Sequence, residues 1–106
     1  MKSILLLPLF CIVGTALAAP AAERQRELVR LVRQDCGSCH GMTLQGGLGS
    51  PLLPPNLKDK PQENLVATVL QGRPGSAMPP WRSMLDEEEA EWIVSRLISG
   101  FPEEKR

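Results

Sequence analysis

The chain has 106 residues, with 12 basic and 12 acidic side chains, a single histidine and no formal net charge. That length holds one small domain with a modest core. The charge balance argues against nucleic acid as a partner and gives no reason to invoke a membrane surface.

The chain opens on Met1-Lys2-Ser3 followed by an apolar run from Ile4 to Val13, and small residues follow at Ala16, Ala18 and Ala19. One positive charge, an apolar stretch and an Ala-x-Ala end make the three-part pattern of a secretory signal peptide. Cleavage is expected between Ala18 and Ala19, leaving residues 19–106 as the mature domain and its destination as the periplasm. The run is too short to span a bilayer comfortably, so an uncleaved anchor is the alternative. Cys11 lies within the run. Phe10 is bulky where a lipoprotein signal would place a small residue, so Cys11 is expected to leave with the leader. Lys2 leaves too, and acidic residues then outnumber basic ones by one.

A first helix is predicted from Glu23 to about Asp35. Leu28, Leu31 and Val32 fall at i, i+3 and i+4, with Cys36 four further on. Arg24, Arg26, Arg30 and Arg33 occupy other positions and read as a solvated face, with a docking patch for an acidic partner as the sharper alternative.

This helix delivers Cys36-Gly37-Ser38-Cys39-His40. Cys-x-x-Cys-His is the attachment signature of a c-type haem. Two thiols add across the porphyrin vinyl groups, and the adjoining histidine becomes an axial ligand of the iron. The two-residue gap lets one turn of backbone span the porphyrin edge. A thioredoxin-like redox pair would want a βαβ context, and no strand pattern is present. A structural zinc site needs four ligands, whereas the mature chain offers two cysteines and one histidine. A covalent haem also supplies the apolar body that so small a domain needs to fold around.

Gly41 to Asn56 reads as an irregular loop, broken by Gly46, Gly47, Gly49, Pro51, Pro54 and Pro55. So long a loop in a small domain is usually functional. Wrapping a haem edge would use Leu44, Leu48, Leu52, Leu53 and Leu57 as apolar contacts. A ligating histidine generally donates its far N–H to a carbonyl, and the carbonyls near Ser50 and Pro51 are the candidates. A second helix is predicted from Pro61 at its first position to Leu70, with Leu65, Val66, Val69 and Leu70 inward and Gly72 as its stop. A second loop runs from Arg73 to Trp81. The last helix begins at Asp86, with Glu89 completing a capping box, and the acidic run suits the helix dipole. Ala90, Ile93, Val94, Leu97 and Ile98 share its apolar face and Gly100 ends it. Trp92, at the edge of that face, is expected to close the contact with the first helix. The polar tail from Pro102 to Arg106 is expected to fray.

The second axial ligand follows by elimination. Methionine is the usual partner of histidine in cytochromes c, and the pair raises the reduction potential. Met1 leaves with the leader, and Met42 is too close to His40 to reach the other face of the ring. Of Met78 and Met84, Met78 is preferred because Pro79 and Pro80 stiffen its loop. Arg73 and the indole N–H of Trp81 flank this loop as candidate donors to a haem propionate. The expected fold is all-α, three main helices around one covalent haem c. With both axial positions filled the chemistry is outer-sphere electron transfer, not substrate turnover. An enzyme or gas sensor with an open iron site would require that Met78 not ligate.

With these residues in place the chain resembles a class I cytochrome c over its whole mature length. Leu31 to Met42, Gly46-Gly47-Leu48-Gly49, Gly72-Arg73-Pro74-Gly75 and Met78-Pro79-Pro80-Trp81 are similar to the NirC-type cytochrome c-55X family of denitrifying bacteria. The resemblance implies a monomeric periplasmic electron carrier whose redox partners are the haem cd-type nitrite reductase and an upstream quinol-linked donor. The other role associated with the family is assisting maturation of that reductase and its d-type haem. Class I cytochromes often carry Gly-Pro-x-Leu after the haem motif; here the sequence departs to Gly49-Ser50-Pro51-Leu52.

Overall fold

A computed structural model describes residues 2–11 and 19–105. The expected cleavage site, Ala16 to Ala18, lies outside the described residues. Every regular element among the described residues is helical: α1 (Ala22–Leu31), a π-helical turn (Val32–Cys36), α2 (Gly37–His40), α3 (Pro54–Leu57), α4 (Gln62–Gln71) and α5 (Glu87–Ser99).

The first predicted helix does not stop at Asp35. The backbone widens into the π turn, where Gly37 N–H reaches the Val32 carbonyl five residues back, and then continues as helix to His40. Such turns carry one extra residue inside a helix. The residues that follow are thereby rotated by roughly 100° relative to an uninterrupted α-helix. Leu28 and Val32 remain on the core side, both with no exposed surface.

The loop 41–56 contains one helical turn that the prolines had concealed. In α3, prolines occupy the first positions, where the missing N–H groups would have had no intrahelical partner. Pro61 stands one place outside α4, as its N-cap, because its ψ of 133° is still extended. Its carbonyl accepts from Asn64 N at 3.1 Å and Leu65 N at 3.2 Å. The α5 start is as expected: Asp86 Oδ1 accepts from Glu89 N at 2.8 Å, and Glu89 Oε1 accepts from Asp86 N at 3.0 Å.

Helices α4 and α5 pack on each other, and α3 packs on α5. Leu28, Val32, Leu57, Leu70, Ile93 and Val94 meet in one core, joined by Leu44 from the loop. Burying each such side chain contributes about 1.5–3 kcal/mol. Leu44 reaches the core at a backbone cost: its φ of 63° is left-handed, worth about 1–2 kcal/mol for an L residue. Hydrogen bonds on both sides, Leu44 N to Gly41 O and Leu52 N to Leu44 O, both 2.9 Å, hold it there. Leu48, grouped with it in the sequence, is 95% exposed.

Two expectations about charge and order are corrected. Arg33 is not on a solvated face; only 8% of it is exposed. The tail is not frayed over the described residues. Arg33 donates to the Phe101 and Pro102 carbonyls, and Glu104 accepts from Gln34 at 3.0 Å and pairs with Arg30 at 3.5 Å. Trp92 meets this tail, edge-on to Phe101 with ring centroids 6.4 Å apart. The Arg33 guanidinium lies over the same Phe101 ring, so Phe101 joins Trp92 to the end of the first helical segment.

Arg24 joins α1 to α5. It donates to Glu89, to Glu27 and to the Met84 carbonyl. Glu89 thus serves the cap and the bridge at once, and the Arg24 guanidinium, followed by the Asp86 backbone, holds its carboxyl below the usual carboxylate range. A depressed folded-state pKa stabilises above the unfolded value, and the contribution is lost as pH falls through the folded value. Glu89→Ala should cost about 2 kcal/mol at neutral pH. Glu89→Gln retains the box geometry and should cost about half that. Melting temperatures of the haem-loaded chain should converge for Glu89→Gln and the unmodified chain as the pH drops below about 4.5, the ordinary carboxylate value.

Candidate haem centre

Cys36 closes the π turn, and Cys39 and His40 stand in α2. Positions 36, 39 and 40 lie at i, i+3 and i+4, so a helical backbone gathers them on one side. Cys36 and His40 are half-buried and Cys39 is exposed. Burial, helped by the charge of Asp35, pushes the Cys36 thiol up to about 11. The attacking thiol of a redox pair is shifted the other way, toward the thiolate. The motif also sits on helix and not at the end of a strand, so the surroundings oppose a thioredoxin-like reading.

His40 is oriented by the loop that follows it. Nδ1 lies 2.7 Å from the Ser50 carbonyl. A carbonyl oxygen only accepts, so Nδ1 is the donor, and in the neutral tautomer that this selects, Nε2 has its lone pair for a metal. Ser50 is thus the residue whose carbonyl faces the ring, of the two that the sequence offered. The loop is tied back onto the motif by Gly46 N to His40 O at 2.8 Å and Gly49 N to Cys39 O at 2.7 Å. Gly49 lies flat against the imidazole: a Cβ there would stand 2.8 Å from both Cε1 and Nδ1.

Arg73, Met78 and Trp81 stand together in the loop after α4. The turn is closed by Arg73 N to Met78 O at 3.2 Å. Ser76 Oγ donates to Arg73 O at 2.7 Å and accepts from Met78 N at 3.3 Å. Beyond the prolines, Trp81 N reaches Val69 O at 3.0 Å. Gly72 permits the close approach. Its φ is 67°, and a Cβ would meet Met78 O and Pro79 C, each at 2.7 Å. Met78 is half-buried, whereas Met42 and Met84 are 62% and 51% exposed. Of these three methionines Met78 is the least exposed, and its backbone N–H and C=O are both hydrogen-bonded within the loop.

Arg73 is exposed. Trp81 packs against the core, and its Nε1 is buried with no hydrogen-bond partner among the described residues. An indole nitrogen only donates, and leaving it unpaired costs about 1–3 kcal/mol. Two thiols, an imidazole with its Nε2 free, a held thioether and an N–H without a protein acceptor fit a haem c with carboxylate side arms. The glycines at 49 and 72 were visible in the sequence only as loop punctuation. Their role as contact surfaces for His40 and for the Met78 segment appears only when the chain is folded.

Residues 23–95 match the family described as cytochrome C oxidase, cbb3-type, subunit III. Cytochrome c55X of Pseudomonas aeruginosa is 56% identical over 87 residues, 82% of this chain and 73% of that protein. The solved structure of a c-type cytochrome NirC is also 56% identical; it superposes with a TM-score of 0.76, covering 77% of this chain and 96% of that one. Dihydro-heme d1 dehydrogenase of Pseudomonas aeruginosa is 33% identical over 92 residues, 87% of this chain but only 19% of that enzyme.

Proposed function

The chain belongs to the cytochrome c55X family of c-type cytochromes, electron-transfer proteins of denitrification, and on that premise we propose that it is a periplasmic carrier that delivers single electrons to the haem cd-type nitrite reductase. Cys36 and Cys39 would hold one haem c through thioether bonds, His40 Nε2 and the Met78 thioether would ligate its iron, and Arg73 and Trp81 would donate to its propionates. Bound there, the haem supplies a one-electron Fe(III)/Fe(II) couple. The observation that carries the reading is the His40–Ser50 hydrogen bond beside the two thiols.

The protein's own groups serve to keep the site closed and still. The Ser50 carbonyl fixes the imidazole plane and raises its basicity. The Gly72 turn and Pro79-Pro80 hold Met78, whose thioether is a weak ligand and benefits from a preformed loop. Ligands held in this way would stay in place in either oxidation state of a bound haem, so electron transfer would require little rearrangement. Leader residues 1–18 act as a signal peptide removed between Ala18 and Ala19. In support, Ile4, Leu5, Leu6, Leu7, Leu9 and Phe10 are each more than 80% exposed and join no core, and among the described residues no helix is long and apolar enough to cross a membrane.

Stopped-flow mixing of the reduced protein with fully assembled nitrite reductase tests the donor role. Oxidation at least as fast as nitrite turnover is expected; oxidation far slower than turnover overturns it. The likeness to part of a dihydro-heme d1 dehydrogenase favours a second reading, a role in maturation of the reductase's d-type haem. In that case a strain lacking this chain accumulates nitrite reductase without its d-type haem.

A further inference from the structure

We propose that Arg33 is a positioning residue that also sets the reduction potential: its buried guanidinium ties the haem-binding turn to the C-terminal tail and keeps a permanent positive charge beside the motif. The inference rests on the covalent haem reading above. Arg33 stands in the π turn, three residues before Cys36. Its Nε and Nη2 donate to the Pro102 carbonyl at 3.1 and 2.9 Å, and Nη2 also donates to Phe101 O at 2.9 Å. Nη1 donates to Met42 O at 3.4 Å, two residues past His40. The guanidinium therefore holds three segments at once: the turn that leads into the cysteines, the start of the loop that orients His40, and the tail.

Among the described residues it has no buried counter-ion. Carbonyl oxygens solvate the charge without neutralising it. The carboxylate nearest to it among the described residues, that of Glu103, is 3.9 Å away with its side chain 96% exposed, so water screens it. Glu104 is engaged by Arg30 and Gln34, and Asp35, on the same turn, is exposed. The Phe101 ring, 5.5 Å from the guanidinium carbon, adds a cation–π contact but no charge. An apolar side chain of similar volume would cover the tail without the desolvation cost of a buried ion. A positive charge held in a low-dielectric setting near a redox centre favours the state with one fewer positive charge, which here is the ferrous state.

The test is spectroelectrochemical titration of the mature haem-loaded chain and its variants Arg33→Met, Arg33→Gln, Arg33→Lys and Glu103→Gln. The neutral variants should move the equilibrium toward the ferric state by about three- to tenfold, the upper figure being 59 mV for one electron. Arg33→Gln keeps donors for the tail carbonyls, so it reads the charge even where Arg33→Met fails to fold. Arg33→Lys and Glu103→Gln should stay within about twofold of the unmodified chain, although Arg33→Lys should melt lower because the planar fork is lost. Neutral variants with an unchanged potential would make Arg33 a tail clamp only, and a Lys variant shifted as far as Gln would remove charge as the cause; either overturns the proposal. A pyridine haemochrome assay on each preparation separates the two levels. No covalent haem in the unmodified chain overturns the haem reading and this inference with it; covalent haem with unchanged potentials overturns the role of Arg33 alone.

Discussion

Met78→Ala should open the iron: the ferrous protein should bind carbon monoxide rapidly at neutral pH, where the unmodified chain should resist it. The reduction potential should fall by on the order of 0.1 V or more, within the span of about 0.8 V that axial ligands command. The sign follows from the ligand, since a thioether favours the electron-rich ferrous iron and its loss removes that preference. The loop makes the effect specific to Met78. Its backbone is pinned by Arg73, Ser76 and the Gly72 approach, so a neighbouring side chain cannot slide into its place. Met84→Ala should leave carbon monoxide binding and potential near those of the unmodified chain, because Met84 is half exposed. An unchanged ferric spectrum in Met78→Ala would transfer the ligand to Met84. Rapid carbon monoxide binding by the unmodified, folded chain would sink the six-coordinate carrier and favour an open-site enzyme or sensor.

Gly49→Ala should be a damaging change although Gly49 has no side chain of its own to touch a ligand. The added Cβ would stand 2.8 Å from the His40 Nδ1 and Cε1, closer than carbon tolerates, so one of the two must move. Gly49 cannot retreat without breaking its bond to the Cys39 carbonyl, which is 2.7 Å long. The ring therefore tilts and gives up its bond to Ser50 O. Overpacking of this kind costs about 1–3 kcal/mol, which corresponds to a melting temperature lower by roughly 5–15 °C in a domain this small. The ferric EPR spectrum should change as well, because the imidazole plane turns. Ser50→Ala is the matched control: Ser50 contributes its backbone carbonyl, so its side chain is dispensable and both readouts should hold. A Gly49→Ala protein with the unmodified melting temperature and EPR spectrum would show that the ring is not seated on this glycine.

Both predictions join a residue that the sequence exposes to one that it does not. Met78 is reached from the sequence by discarding the other methionines. That its carbonyl closes a turn onto Arg73 and crowds Gly72 is learned from the fold. His40 is named by the motif, and the carbonyl it faces is narrowed to two positions; the choice of Ser50, and Gly49 as the surface under the ring, require the loop to be closed. The α5 capping box was legible in full, because Asp86 and Glu89 satisfy each other within one turn and need nothing from elsewhere. The first helix was legible as a helix but not at its end. The π turn depends on how Val32 and Gly37 meet the core and the Met42 segment, which periodicity cannot express.

Arg33 marks the boundary most sharply. On an amphipathic helix an arginine off the apolar stripe reads as solvated, since nothing within a few residues can bury it. Here the partners are the carbonyls of Phe101 and Pro102, 68 and 69 positions along the chain, and only folding brings them near. Leu44 is the same case for the backbone: no local preference places a leucine at φ 63°, and burial in the core offsets the strain. By itself, then, the sequence determined the chemistry that is contiguous or nearly so: the Cys36–His40 motif, the helix caps, the apolar faces and a short choice of distal ligand. Side-chain type and spacing act over one or two turns, and such features survive without a fold. Tertiary structure alone decided the contacts between distant segments: Gly49 under the ring, Gly72 under the Met78 loop, and Arg33 inside the tail. Their energies come from burial and carbonyl geometry, which exist only once the chain has closed on itself.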